Sequence, residues 1–188
     1  GGVQPRSGRA LGCPVRIQDA DGQLDLQTFS LEGWFRAASG SKGWRALFSK
    51  GYGTINGRNA YSFALYINDF NEISAWFCTK GANGEIVTHE QKVMGDYSIC
   101  DGQWHYVSLV VNGAKHMAHL FVDFNQDGSP SWRVQYDLGG ELVYNSDEPL
   151  VLGGNNLSSW QYCGEIDEVR LSDSIINAAD TALKIRSG

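Results

Sequence analysis

The chain has 188 residues, a formal net charge of −6 and a sequence pI near 5.1, which excludes nucleic-acid binding through a concentrated basic surface. Hydrophobic residues make up 42% and charged residues 19%, enough apolar material for one large core and too little charge for a disordered or coiled-coil chain. No apolar run approaches the roughly 18 residues of a membrane span, so no membrane insertion is expected.

Residues 1–8, opening Gly1-Gly2-Val3-Gln4-Pro5, read as a linker or expression remnant, and residues 9–188 as one domain. With no signal peptide at its start, the chain is expected to be a mature or excised piece of a longer protein. Phe29 to Arg36 alternates in period two and ends in the Gly/Ser cluster from Ala38 to Gly43. Trp44 to Gly51 follows, then a Gly/Asn loop through Asn59. Tyr61 to Ile67 alternates, turns at Asn68-Asp69 and resumes from Ile73 to Cys78. Ala82-Asn83-Gly84 predicts a hairpin turn, with Glu85 to Lys92 as its return strand, because Asn-Gly suits positive φ. Gln103 to Val111 leads to a second such signal, Asn112-Gly113, with His116 to Val122 running back. After the polar loop Asp123 to Ser131 come Ser131 to Leu138, Leu150 to Leu152 and Gly164 to Leu171. Only Ser174 to Ile185 has helical spacing, with Ser172 or Asp173 as N-cap. The expected fold is therefore all-β, a two-sheet antiparallel sandwich or jelly roll with a short C-terminal helix.

Cys13, Cys78, Cys100 and Cys163 lack the close spacing of zinc ligands. Four cysteines scattered over a β-rich chain predict two disulfides in an oxidising compartment, with three connectivities open.

Several residue groups could carry chemistry. Glu165-Ile166-Asp167 places two carboxylates on one strand face, an arrangement that suits glycoside hydrolysis. Asp123, Asn125 and Asp127 fall at positions 1, 3 and 5 of a calcium-type loop with Gly128 at 6, but position 12 is Val134 and no helices flank it, so a metal-free polar loop is the competing expectation. Asp19-Ala20-Asp21-Gly22 reads as a turn. Aromatic rings can stack on the C–H faces of sugars while amides bind hydroxyls. Trp34, Trp76 and Trp104 sit inside alternating strands and are expected in the core, whereas Trp44, Tyr52, Trp132, Trp160 and Tyr162 lie at strand or loop margins. The run Asn155-Asn156-Leu157-Ser158-Ser159-Trp160-Gln161-Tyr162 is the leading ligand loop; its alternative role is to cover the sandwich end. Asn156-Leu157-Ser158 is also an N-glycosylation sequon, meaningful in a eukaryotic source. His105 is expected to be structural, and the opposite parity of His116 and His119 excludes a shared metal.

The segments Phe29-Ser30-Leu31-Glu32-Gly33-Trp34-Phe35, Leu47-Phe48-Ser49-Lys50-Gly51, Tyr61-Ser62-Phe63, Gly102-Gln103-Trp104-His105-Tyr106-Val107-Ser108-Leu109-Val110, His119-Leu120-Phe121-Val122-Asp123, Leu152-Gly153-Gly154 and Gly164-Glu165-Ile166-Asp167-Glu168-Val169-Arg170-Leu171 occur in that order. Together they resemble the laminin-G-like branch of the concanavalin-A-like lectin/glucanase superfamily over about residues 9–183. The resemblance implies a β-jelly-roll sandwich of secreted adhesion proteins and carbohydrate-active enzymes. The superfamily's glucanases carry Glu-x-Asp-x-x-Glu on a central strand; here Arg170 stands at the third carboxylate position, and the run falls on the closing strand. In that position the resemblance makes Asp167 a structural calcium ligand, with Asp19 or nearby carbonyls; a capping or Arg-paired aspartate is the alternative. It also places the first strand beside the last, implying Cys13–Cys163 and leaving Cys78–Cys100.

The expected protein is a non-catalytic, extracellular, secreted or cell-surface module that binds glycans, monomeric within a larger chain. A protein–protein adhesion module is the first alternative, and a glycoside hydrolase the second.

Overall fold

The computed structural model describes residues 14–39, 43–55, 58–92, 99–145, 147–155 and 160–178. Along them run β1 (Val15–Ile17), β2 (Phe29–Ala37), β3 (Arg45–Lys50), β4 (Gly53–Ile55), β5 (Arg58–Ala60), β6 (Phe63–Ile67) and β7 (Ile73–Gly81). There follow β8 (Ile86–Lys92), β9 (His105–Asn112), β10 (Met117–Phe124), β11 (Pro130–Asp137), β12 (Gly140–Leu142), β13 (Leu150–Leu152) and β14 (Gly164–Ser172). A seven-stranded sheet has the order β1-β13-β3-β6-β7-β12, with β8 also on β7; a five-stranded sheet has the order β11-β10-β9-β2-β14. All pairings are antiparallel. The expected two-sheet sandwich is thus the observed one.

Alternation sets which side chains face inward, because successive residues of a strand point to opposite faces. From β2, Phe29, Leu31 and Phe35 enter the space between the sheets; from β9, Val107, Leu109 and Val111; from β7, Ile73, Ala75 and Phe77. Phe35 meets Phe48 edge-on at 5.1 Å between ring centroids. Each such buried side chain contributes about 1.5–3 kcal/mol of transfer free energy.

Four expectations about the chain path change. β1 pairs with β13 and not with the last strand, which pairs instead with β2. The first and last strands belong to different sheets, with Val15 and Ile166 lining one groove between them. The Asn112-Gly113 signal does not give a two-residue turn: Gly113–Lys115 forms a 3-10 turn, capped by the Asn112 side chain accepting from Lys115 N. The Gly/Asn loop before Asn59 contains the small hairpin β4–β5. The C-terminal helix does not start at Ser174, since residues 173–177 are irregular. There the buried Ser30 hydroxyl donates to the Ser174 carbonyl at 2.8 Å and accepts from Ile176 N at 3.0 Å, drawing the backbone across β2. The remainder of the expected helix, residues 179–185, lies outside the described residues.

The cysteines also depart from expectation, for no disulfide joins Cys78 to Cys100. Cys78 points out of the seven-stranded sheet into a cluster with Ala60, Ile86 and Val143, while Cys100 lies in the core between the sheets. A whole sheet separates them. Cys163 is an exposed free thiol, and its expected partner Cys13 lies outside the described residues.

Candidate functional site

The outer face of the seven-stranded sheet carries a ribbon of aromatic rings. Ala46 of β3 and Ala64 of β6 point outward and form a floor of methyl groups, on which Trp44, Tyr61, Tyr66, Trp76 and Trp160 pack. Trp44 stacks on Trp160 with centroids 5.2 Å apart and planes 24° apart, and lies 5.0 Å from Tyr66. Trp160 continues to Tyr61 at 5.4 Å, and Tyr61 to Tyr52 at 4.7 Å. Two constraints fix Trp160: its carbonyl accepts from Ala46 N at 2.8 Å, and its φ is +53°. A left-handed tryptophan costs on the order of 1 kcal/mol and persists where packing over-determines it.

The β6–β7 hairpin closes one end of this ribbon. Its turn is built on Asn68, whose Oδ1 accepts from Phe70 N at 2.9 Å and Glu72 N at 3.0 Å, while Nδ2 donates to Glu72 Oε2 at 2.9 Å. Asn71 takes a left-handed φ of +65° and accepts from Arg45 Nη2 at 2.6 Å. Asp69 Oδ2 accepts from Trp44 Nε1 at 3.0 Å, so the hairpin also sets the indole's orientation. Phe70 at the tip is 81% exposed, far more than an aromatic ring kept for packing. Trp44, Asn68, Asp69, Phe70 and Glu72 line a cleft of about 300 Å³. Its volume is at the low end for a small-molecule pocket, and it sets two aromatic residues beside three polar ones.

Among the residues expected to bind ligand, Trp44, Tyr52 and Trp160 come together on this face. Tyr162 does not: it is 3% exposed, packed edge-on against Phe35 in the core. Its position in the strand approach turns it inward beside Gly164, which explains why burial pushes its hydroxyl pKa strongly up. Asn155 is 2% exposed and donates through Nδ2 to the Tyr61 hydroxyl at 2.9 Å, a strut beneath the ribbon. Burial above all, with the neighbouring Tyr52, pushes Tyr61 up to about 12, against the Asn155 hydrogen bond. Gln161 is half-buried beside Gly154, and Asn156 lies outside the described residues. Trp76, expected in the core, belongs to the outer ribbon; Trp34 packs on the outer face of the other sheet with Tyr106, and Trp104 is 38% exposed under Arg36. The sequence reading missed Tyr61, Tyr66, Asp69, Phe70 and Glu72 as site residues. Asn68-Asp69 marked the turn, but an exposed Phe70 between two acids was the available signal of function.

The residues proposed to hold calcium are otherwise engaged. Asp19 is 4% exposed; its Oδ2 accepts from Lys50 Nζ at 2.7 Å and its Oδ1 from Leu24 N at 3.0 Å. Lys50 is fully buried and also meets Asp25 Oδ1 at 3.2 Å and the Glu148 carbonyl at 2.7 Å. The ammonium occupies an oxygen cage of the kind a metal would use. Burial alone would raise the Asp19 pKa, but the Lys50 and Leu24 hydrogen bonds hold it below the ordinary value. Asp123 accepts from Tyr106 N at 2.8 Å and faces His105 Nδ1 at 2.7 Å, while His105 Nε2 lies 2.9 Å from Asp101. Asn125 and Asp127 close on Ser129, with Asn125 Nδ2 donating to Ser129 Oγ at 3.0 Å and Asp127 Oδ1 accepting from Ser129 N at 2.8 Å. Asp167 Oδ1 accepts from Glu168 N at 2.8 Å at a bulge in β14, the capping arrangement. Among the described residues, no group of three or more acidic, histidine or cysteine side chains is arranged to hold a metal ion. These donor sets do not fit a calcium ion.

Glu165 of the exposed edge strand β14 pairs with Arg36 of β2, and Arg170 reaches toward Glu32 at 3.7 Å. Neither arrangement offers two carboxylates across a cleft. A larger cleft of about 520 Å³ on the five-stranded sheet, beside His119, Phe121 and Arg133, is roofed by Ile175, Ile176 and Ala178. It is the seam where the C-terminal segment lies on the sheet.

A family model described as the concanavalin A-like lectin/glucanases superfamily, laminin-G type, matches residues 14–182. The chain is 28% identical over 153 residues to adhesion G-protein coupled receptor V1 of Danio rerio, covering 81% of this chain and 2% of the receptor. Among solved structures, the CBM40 module of Ruminococcus gnavus IT-sialidase bound to α2,3 sialyllactose superposes with a TM-score of 0.59 at 12% identity, covering 93% of this chain and 96% of that one. Domains LG4-5 of the mouse laminin α1 chain superpose with a TM-score of 0.51 at 21% identity, over 89% of this chain and 38% of that one. At these identities the structural likenesses establish the fold alone.

Proposed function

This chain belongs to the concanavalin A-like lectin/glucanase superfamily, and from that premise we propose that it is a non-catalytic extracellular module whose Trp44–Phe70 cleft binds a saccharide. The observation that carries this reading is the exposed Phe70, which lines one cleft with Trp44 on a hairpin pre-organised through Asn68 and Arg45. A sugar ring can lay its C–H face on such rings while its hydroxyls donate to Asp69 and Glu72. Rigid presentation avoids part of the ordering cost of binding. The CBM40 similarity supports a carbohydrate partner, and the adhesion-receptor and laminin similarities support an extracellular setting.

The test is a glycan array probed with the wild-type domain and with Phe70→Ala. Because Phe70 is 81% exposed, the variant should keep its melting temperature and lose about two- to tenfold in affinity, the range for an aromatic stacking contact. A second reading, adhesion to a protein partner, draws on the receptor similarity and on the exposed Phe70, a residue type suited to a protein hot spot. A blank array beside a captured extracellular protein whose binding is Phe70-dependent would favour it.

A further inference from the structure

We propose that the cleft selects saccharides free of acidic groups and repels sialylated, uronic and sulfated ones. This rests on the saccharide reading above and adds the charge class of the ligand.

Asp69 and Glu72 both line the cleft. Among the described residues neither carboxylate forms an ion pair with a lysine, arginine or histidine. Each uses one oxygen internally: Asp69 Oδ2 accepts from Trp44 Nε1, and Glu72 Oε2 accepts from Asn68 Nδ2. Asp69 Oδ1 and Glu72 Oε1 remain as acceptors for ligand hydroxyl or ammonium donors. A ligand carboxylate or sulfate offers these oxygens no proton, and it brings like charge within a few ångströms of both.

The nearest cation held by the hairpin is Arg45, and it does not reverse this. It is 3% exposed, is bound to Asn71 and does not line the cleft. Among the described residues its Nε and Nη1 have no acceptor and are shielded from solvent, so they offer a ligand anion no surface. Three hydrogen bonds of the Asn68 side chain hold the adjoining turn shut. Among the described residues, one buried guanidinium beside the hairpin leaves the two carboxylates dominant at the cleft surface. The Trp44 and Phe70 faces act in the same direction, since a ring face is negative and attracts cations.

The experiment compares backbone-matched immobilised oligosaccharides: neutral, amine-bearing, and sialylated or sulfated. Each is measured at about 20 and 500 mM salt, which span strong and weak screening. Wild type should bind the neutral form with little salt dependence. The acidic form should bind at least about tenfold more weakly at low salt, and the gap should shrink at high salt. Asp69→Asn with Glu72→Gln keeps the acceptors for Trp44 and Asn68 while removing the charge, and should narrow the gap to less than about threefold. Should the double variant unfold, Glu72→Gln alone and the wild-type salt series still decide. Acidic glycans binding wild type as tightly as their neutral counterparts would overturn the inference while leaving the saccharide reading in place. So would a gap that neither salt nor the variants change. If wild type binds no saccharide of any charge, the reading beneath it falls as well.

Discussion

Lys50 is the residue on which the interior most depends. Its ammonium is fully buried against Asp19, Asp25, the Glu148 carbonyl and, at 5.9 Å, the Tyr144 ring. Removing one partner of a buried pair strands the other charge, so Lys50→Met should destabilise the domain by about 3–5 kcal/mol in urea denaturation. His105 carries a different dependence. Burial pulls its pKa down, but the hydrogen bonds and charges of Asp123 and Asp101 outweigh burial and hold it above the ordinary 6.5. A raised folded-state pKa means that its stabilisation is complete below about 6.5 and is lost as pH rises through the folded value. Asp101 is shifted the other way, held below 3.8 chiefly by His105, so its share is present above that value and disappears in acid. Stability should therefore decline as pH rises above about 6.5, and His105→Gln should flatten that decline in denaturation curves taken from pH 6 to 9. A decline of equal size in the variant would remove His105 as its cause.

Between elements, close backbone approach sets what the chain tolerates. Gly140 opens β12 where its Cα faces the Lys80 carbonyl of β7, and a Cβ there would overlap that carbonyl. Gly140→Ala should cost about 1–3 kcal/mol, since backbone and not a flexible side chain must move. The same dependence on neighbours limits what was legible in single elements. β2 and β9 were readable because alternation gives each an apolar inner set. β6 was readable as a strand but not by face: Phe63, Leu65 and Ile67 enter the core while Ala64 and Tyr66 are equally buried outside it. A strand apolar on both sides carries no label for the functional side. The 3-10 turn after Asn112 was not legible either, because Gly113 is packed against the Gln27 carbonyl, a contact 86 positions away in the chain (113 against 27).

For the whole molecule, the hydrogen bonding of the expected calcium donor sets predicts a stability that does not depend on calcium. The residues marked for that ion are bound to Lys50, His105, Ser129 and backbone amides, so a chelator should leave the melting temperature unchanged. A fall on chelation, restored by added calcium, would contradict this. The sandwich itself follows from the sequence, through period-two alternation, turn residues at regular spacing and the ordered motifs from Phe29 to Leu171. The aromatic margins Trp44, Tyr52 and Trp160 were likewise marked by their places at strand ends. What only the tertiary structure decided was association: that Tyr162 turns inward, that Cys78 and Cys100 lie on opposite sides of a sheet, and that Asp69, Phe70 and Glu72 meet Trp44. The physical reason is that periodicity reports which residues share a face of one strand. Which face is covered, and which side chains from distant strands meet there, is set by sheet order and by hydrogen bonds such as Arg45 to Asn71 and Ala46 to Trp160.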